Sequence, residues 1–236
     1  MFIEKLIDYL ESKIQAKRLA LFKTLYINFR CLPIKQAIKF PIKLYGKIRI
    51  KSLSGVIRID DKSSLKIGVD IVGYRTRETS TINIMQGGKL IVDGKVLCYQ
   101  GSSLLVGPQA LLVLNNCVTL GDNAEIICKK KIIIGEHTGI TWDCQITDFG
   151  SHPIMNLHTE TIGDLYKPVI IGNYCWIGNR TTVMPGTVLP DRTIVASNSL
   201  LNKDYIKNGI KPYSMIGGIP AKVIREGVKR VDYCND

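Results

Sequence analysis

Two of the three histidines, His152 and His158, stand six residues apart in the stretch FGSHPIMNLHTETIGDLYKP, and Asp148 lies four residues before the first. A neutral imidazole titrates near neutrality and can take the proton of a hydroxyl as that oxygen attacks an acyl carbon, a contribution of about 10² to 10⁴ in rate. A carboxylate four residues away can orient such a ring, and it can equally close a turn. Taken alone, a loop histidine is more often a surface residue than a base. The third histidine, His137, replaces a turn residue after Gly135.

The elements that must hold these groups are announced by spacing. Ile171, Ile177, Val183, Leu189, Val195 and Leu201 recur every six residues, and the fourth residue after each of the first five is small: Cys175, Thr181, Thr187, Thr193 and Ser199. A helix repeats its apolar positions every three or four residues and a half-buried strand every two, so neither period applies. Three hexads closing a triangular coil of a parallel β-helix do fit, with the aliphatic in the core and the small residue at the cramped corner. Coils stack about 4.8 Å apart. Each buried aliphatic contributes about 1.5 to 3 kcal/mol.

Upstream, Ile134, Ile140 and Ile146 keep the period, with Thr138 and Cys144 at the small register, and Leu120, Gly121, Ala124 and Ile126 add a hexad. Around Val106 and from Leu90 to Val96 the composition stays β-rich but the phase drifts, which predicts early, irregular coils. Between Ile146 and Ile171 the aliphatic register is missing, so a loop, 147–168, is ejected from the solenoid and carries His152.

Composition bounds the rest. The seven cysteines are odd in number and never form a C-x-x-C pair, which argues against a disulfide framework or a structural zinc site, and Cys144 and Cys175 read as core residues. The net charge is +12, and up to Lys51 there are twelve basic residues against three acidic ones. Ile3, Ile7, Leu10, Ile14, Leu21 and Leu25 recur at helical steps, so residues 1–52 read as a basic amphipathic helical region. Such a helix either packs on the solenoid or makes a peripheral contact with an anionic membrane. No stretch has the length of a membrane span or the order of a signal peptide, and no nucleic-acid motif accompanies the basicity. A cytoplasmic protein, with contact at the inner face of the membrane open to it, is the expectation.

The run KPVIIGNYCWIGNRTTVMPGTVLPDRTIVASNSLLNKD, followed by PYSMIGGIPAKVIR, resembles the C-terminal signature of hexapeptide-repeat acyltransferases, in particular the maltose, galactoside and polysaccharide O-acetyltransferases. The resemblance covers Ile134 to Arg225. It implies a mainly β fold, a left-handed parallel β-helix over 53–211 with a short capping helix in 212–236, assembled as a homotrimer. It implies acetyl-CoA in the groove between neighbouring solenoids, a sugar or glycan acceptor from cell-surface polysaccharide biosynthesis, and no metal.

On the family's pattern ITDFGSHPI supplies His152 as the catalytic base, with Asp148 as a residue that could orient it. Trp176, Asn179, Ser197, Asn202, Lys203, Lys222 and Arg225 match positions where the family contacts the coenzyme; Lys and Arg suit its phosphates. Two other readings stand beside it: a non-catalytic β-helix scaffold or binding module, and a zinc enzyme of the γ-type carbonic anhydrase kind, although His137, His152 and His158 lack a spacing that aligns them on one face.

Overall fold

The structure, a computed structural model, describes residues 18–70 and 78–231. It is a left-handed parallel β-helix with three faces. The first face runs from the strand Ile42–Leu44 through Gly139–Ile140, Trp176–Ile177 and Ile194–Val195; the second includes Glu125–Cys128, Gln145–Thr147 and Leu200–Leu201; the third includes Lys131–Ile134, Val169–Ile171 and Val188–Leu189. The hexad aliphatics stack in register from coil to coil: Ile134 beside Ile171 beside Leu189, Ile140 beside Ile177 beside Val195, Ile146 beside Val183 beside Leu201. All nine are buried.

The small register is occupied by hydroxyls for a reason beyond size. Thr187, Thr193 and Ser199 donate to the carbonyls of Met184, Pro190 and Ala196 at 2.8, 2.8 and 2.6 Å, so each satisfies the corner carbonyl three residues upstream. Glycine follows the aliphatic where coils press together. A Cβ on Gly135, Gly172 or Gly178 would come within 2.5 to 2.6 Å of the next coil's backbone.

The drifting phase upstream is a change of coil size. Leu104 pairs with Ile126, twenty-two residues on; Leu112 pairs with Ile132 and Leu120 with Ile140, twenty on; Ile177 pairs with Val195, eighteen on. The early coils have strands of four or more residues with two inward side chains per face, such as Leu104 and Val106 or Leu112 and Leu114. They are wider, and the irregularity expected of the earliest ones is real: Ile57 pairs with Leu90, thirty-three residues on, and register shifts fall between Ile50 and Ser52 and between Ile67 and Val69.

A further register appears only in three dimensions. Gln109, Cys117, Asn123, His137, Asp143, Tyr174, Arg180, Arg192 and Asn198, each three residues after an inward aliphatic, are left-handed, with φ between 54° and 58°. The left-handed conformation costs a non-glycine residue roughly 1 to 2 kcal/mol. Burial of the adjoining aliphatic offsets it.

Both ends depart from expectation. The coils begin at Ile42, before the boundary expected at 53. The helix α1 (Leu21–Cys31) and the single turn α2 (Ile34–Ala37) precede them. Residues 1–17, with most of the apolar series from Ile3, lie outside the described residues. Of that series Leu21 is 54% exposed, and the face that packs is Thr24, Ile27 and Asn28.

Packing is polar at its centre: Asn28 Nδ2 donates to Ile42 O at 2.7 Å, Asn28 Oδ1 accepts from Ile42 N at 3.2 Å, and Thr24 Oγ1 accepts from Leu44 N at 3.1 Å. Helix side chains thus satisfy the open edge of the first coil, which would otherwise leave unpaired backbone groups.

Among the described residues of 212–236 the expected capping helix is not formed. The segment is an antiparallel hairpin, Ser214–Gly218 with Ala221–Glu226, turned at the cis Ile219–Pro220 bond. Met215 and Ile216 pair in parallel with Ile194 and Val195, extending the first face. A helix would have left that edge's N–H and C=O groups without partners; a strand satisfies them.

Cys144 and Cys175 are buried in the core, as their register implied. Burial pushes the thiols of Cys98 and Cys175 up to about 12, against an ordinary 9.0. A raised folded value means the unfolded chain releases these protons first. Stability is therefore expected to be full below pH 9 and to fall from there toward pH 12, by about 1.4 kcal/mol per pH unit per thiol. Maleimide at pH 8 should spare both thiols in the native chain and label them after unfolding, a difference read by peptide mass spectrometry.

Candidate active site

The loop leaves the second face after Thr147 and rejoins the third at Val169. Asp148 is its clasp. Fully buried, its carboxylate accepts from the backbone N–H of Lys129, Lys130 and Lys131 at 2.7, 2.7 and 2.6 Å and from the Cys128 thiol at 3.7 Å, while its carbonyl accepts from Lys167 N at 3.0 Å. One residue therefore ties the outgoing strand, the returning strand and the previous coil.

Beyond the clasp the loop is an arm. Phe149 bridges Tyr166 with rings stacked at 5.2 Å, Gly150 N donates to Leu165 O at 2.9 Å, and Met155–Asn156 pairs antiparallel with Thr161–Ile162. His152 sits on this arm between Ser151, whose φ is 58°, and Pro153; its own N–H donates to Gly150 O at 2.6 Å and its side chain is exposed. The orienting role considered for Asp148 is not what the structure shows: its oxygens point at the turn 129–131, because three converging backbone donors in a buried corner demand a carboxylate more strongly than one exposed ring.

The other two histidines lie elsewhere. His158 is exposed near the arm tip, its N–H donating to Asn156 Oδ1 at 2.9 Å. His137 occupies a corner of the solenoid, stacked on Tyr174 at 4.7 Å with 2° between the planes, and the Arg192 guanidinium lies 4.4 Å from the Tyr174 ring centre. Among the described residues no three His, Cys, Asp or Glu side chains gather in a way that could hold a metal ion.

The matched coenzyme positions fall in three groups. Asn179 and Ser197 stack one coil apart at the corner between first and second faces, Ser197 Oγ donating to Asn179 Oδ1 at 2.5 Å. Asn202 and Lys203 follow Leu201 at the corner between second and third faces, the corner from which the arm departs two coils earlier. Trp176 is exposed on the first face, and Lys222 and Arg225 lie on its outermost strand. Within one chain these groups spread around the solenoid.

Sequence reasoning missed Trp142. It stands two residues after Ile140, as Asn179 and Ser197 stand two after Ile177 and Val195, so it is exposed in the same column one coil before Asn179; Arg180 N donates to its carbonyl at 3.1 Å. The signal available was its place in the hexad.

The chain matches no known family model. It is 30% identical over 96 residues to galactoside O-acetyltransferase of Escherichia coli (strain K12), covering 40% of this chain and 44% of that protein. It is 39% identical over 70 residues to chloramphenicol acetyltransferase of Agrobacterium fabrum (28% and 31% covered). A third relative is WbbJ of Escherichia coli (strain K12), a putative lipopolysaccharide biosynthesis O-acetyl transferase, at 34% over 58 residues (25% and 27% covered). The chain thus spans less than half the length of these curated relatives.

Among solved structures, the polysialic acid O-acetyltransferase OatWY aligns with TM-score 0.54 and 19% identity over 80% of this chain and 92% of that one; the polySia specific acetyltransferase NeuO aligns with 0.52 and 18% over 81% and 91%. These two share the fold.

Proposed function

We propose that this chain, a hexapeptide-repeat solenoid of the acetyltransferase family, transfers an acetyl group from acetyl-CoA to a hydroxyl of a sugar in cell-surface polysaccharide biosynthesis. The observation that carries the reading is the exposed His152 on an arm clasped to the solenoid by Asp148, in a repeat whose curated relatives are named acetyltransferases. The imidazole takes the proton of the acceptor hydroxyl as its oxygen attacks the thioester carbonyl; the tetrahedral intermediate collapses with cleavage of the C–S bond, and the thiolate leaves and is protonated. Holding hydroxyl and thioester side by side supplies much of the remaining acceleration.

The residues present suit a coenzyme A chain. The Asn179–Ser197 column offers an amide and a hydroxyl on one edge for the pantetheine, Trp176 a flat apolar wall, and Asn202 with Lys203, Lys222 and Arg225 donors and cations for the phosphates. Because they spread around one solenoid, we read the groove as completed by neighbouring copies in a homotrimer. The test is acceptor-dependent release of free thiol from acetyl-CoA with purified chain and candidate glycans. Release that rises with acceptor supports the reading; no acetyl-CoA binding and no release with any sugar overturns it.

A further inference from the structure

The strongest unassigned feature is the outer side of the two helices at the start of the solenoid. Phe22, Tyr26 and Phe29 are spaced four and three apart on α1, so they form one stripe, and Leu21 adjoins it. Ile34 and Ile38, four apart, continue it beyond Pro33, and the Phe29 ring meets Phe40 edge-on at 6.1 Å, joining α1 to the segment after α2. All six are exposed, Phe22 at 84% and Ile34 at 71%. The inner face of α1 is fully engaged with the first coil through Thr24, Ile27 and Asn28, so this is a second apolar face with no partner in the described chain.

The segment that carries it is of one sign in sequence, although Asp60 and Asp61 lie beside Gln36 and Lys39. From Arg18 to Lys51 there are nine Lys and Arg residues and no Asp or Glu. Among the described residues the ion pairs here are Arg18 with Asp70 and Lys39 with Asp61, which leaves most of the positive charge of this segment for an external partner. A second copy of this chain meeting the face symmetrically would bring like charges together. Nucleic acid would reward the aromatic rings but not Leu21, Ile34 or Ile38, which have no planar surface on which a base can stack. A layer that is hydrocarbon within and anionic at its surface rewards both features at once.

We propose that the outer face of α1 and α2 is a docking surface for an anionic lipid bilayer. Because α1 lies along the edge strand of the first coil, docking stands the solenoid on its end. The His152 arm leaves the fifth coil, four coils further on and so about 19 Å along the axis from the first coil, with the helix layer, roughly 10 Å thick, between that coil and the surface. The proposal does not depend on the acetyltransferase reading, since its readout is binding.

The test is flotation of the full chain with vesicles of phosphatidylcholine alone and with about one third phosphatidylglycerol, at low and at about 1 M salt. Expected are binding to the anionic vesicles, at least tenfold weaker binding to the neutral ones, and loss at high salt. The triple variant Phe22→Ser, Ile34→Ser, Ile38→Ser should bind at least tenfold less, and Arg30→Glu with Lys35→Glu likewise, should the first fail to fold. Acetyl transfer to a soluble acceptor should be unchanged in either.

Any of these results overturns the proposal: no binding to anionic vesicles; equal binding by folded patch variants; binding lost only when residues 1–17 are removed with the patch intact; or a lower oligomeric mass of the triple variant by light scattering, which assigns the face to a second copy. Competition by an oligonucleotide that leaves vesicle binding at background would assign it to nucleic acid and would likewise overturn it.

Discussion

His152→Ala is expected to lower acceptor-dependent thiol release by about 10² to 10⁴-fold while leaving the melting transition where it is. The size follows from the role: a sugar hydroxyl attacks a thioester slowly unless its proton is removed as the bond forms. The side chain is exposed on the arm, and surface substitutions away from core contacts stay within about 0.5 kcal/mol of the parent. The control is His158→Ala, on the same arm, which should retain activity. Acetyl-CoA affinity measured by calorimetry should be little changed in His152→Ala. Wild-type turnover by a folded His152→Ala variant would remove the base from the mechanism.

The second large effect is structural in origin. Asp148→Ala strips a buried acceptor from three backbone N–H groups, those of Lys129, Lys130 and Lys131. An unsatisfied buried donor costs about 1 to 3 kcal/mol, and with partial rescue by water the total should be about 3 kcal/mol, read from denaturant unfolding. Activity should fall as well, because the clasp sets where the arm departs, and a displaced base loses its positioning advantage. Asp148→Asn keeps one acceptor oxygen but turns an NH₂ group toward backbone donors, so it should lie between the parent and the alanine variant. A stability change under 0.5 kcal/mol in Asp148→Ala would show that these hydrogen bonds do not hold the arm.

The two residues illustrate how legible the site was. The stop in the aliphatic register puts His152 on an ejected stretch, since residues without core positions must leave the solenoid; its role as base comes from the family resemblance. For Asp148, four residues of separation from His152 suits a local contact and a turn-closing role equally well, and the spacing alone does not choose between them. Its real partners lie seventeen to nineteen residues back, in the preceding coil. Trp142 is hidden for a similar reason: it joins the column of Asn179 and Ser197 only once the coils stack, with Arg180 N donating to its carbonyl.

Coil size follows the same division. The eighteen-residue coils after the arm were plain from the period, whereas the coils of twenty and twenty-two residues read as drift, because two inward residues per face disguise the hexad. The left-handed corners carried no glycine signal; His137, Tyr174 and Arg192 are held there by stacking on one another across coils.

The amino-acid order by itself therefore determined the repeat, the inward aliphatics, the hydroxyl-bearing corners and the point at which an arm must be expelled, since each is a size or polarity demand met within six residues. Only the tertiary structure decided that a helix closes the first edge, that a hairpin extends the last, and that Asp148 serves a turn one coil away. Those outcomes depend on which backbone N–H and C=O groups are left open once the coils stack, and that inventory does not exist until they do.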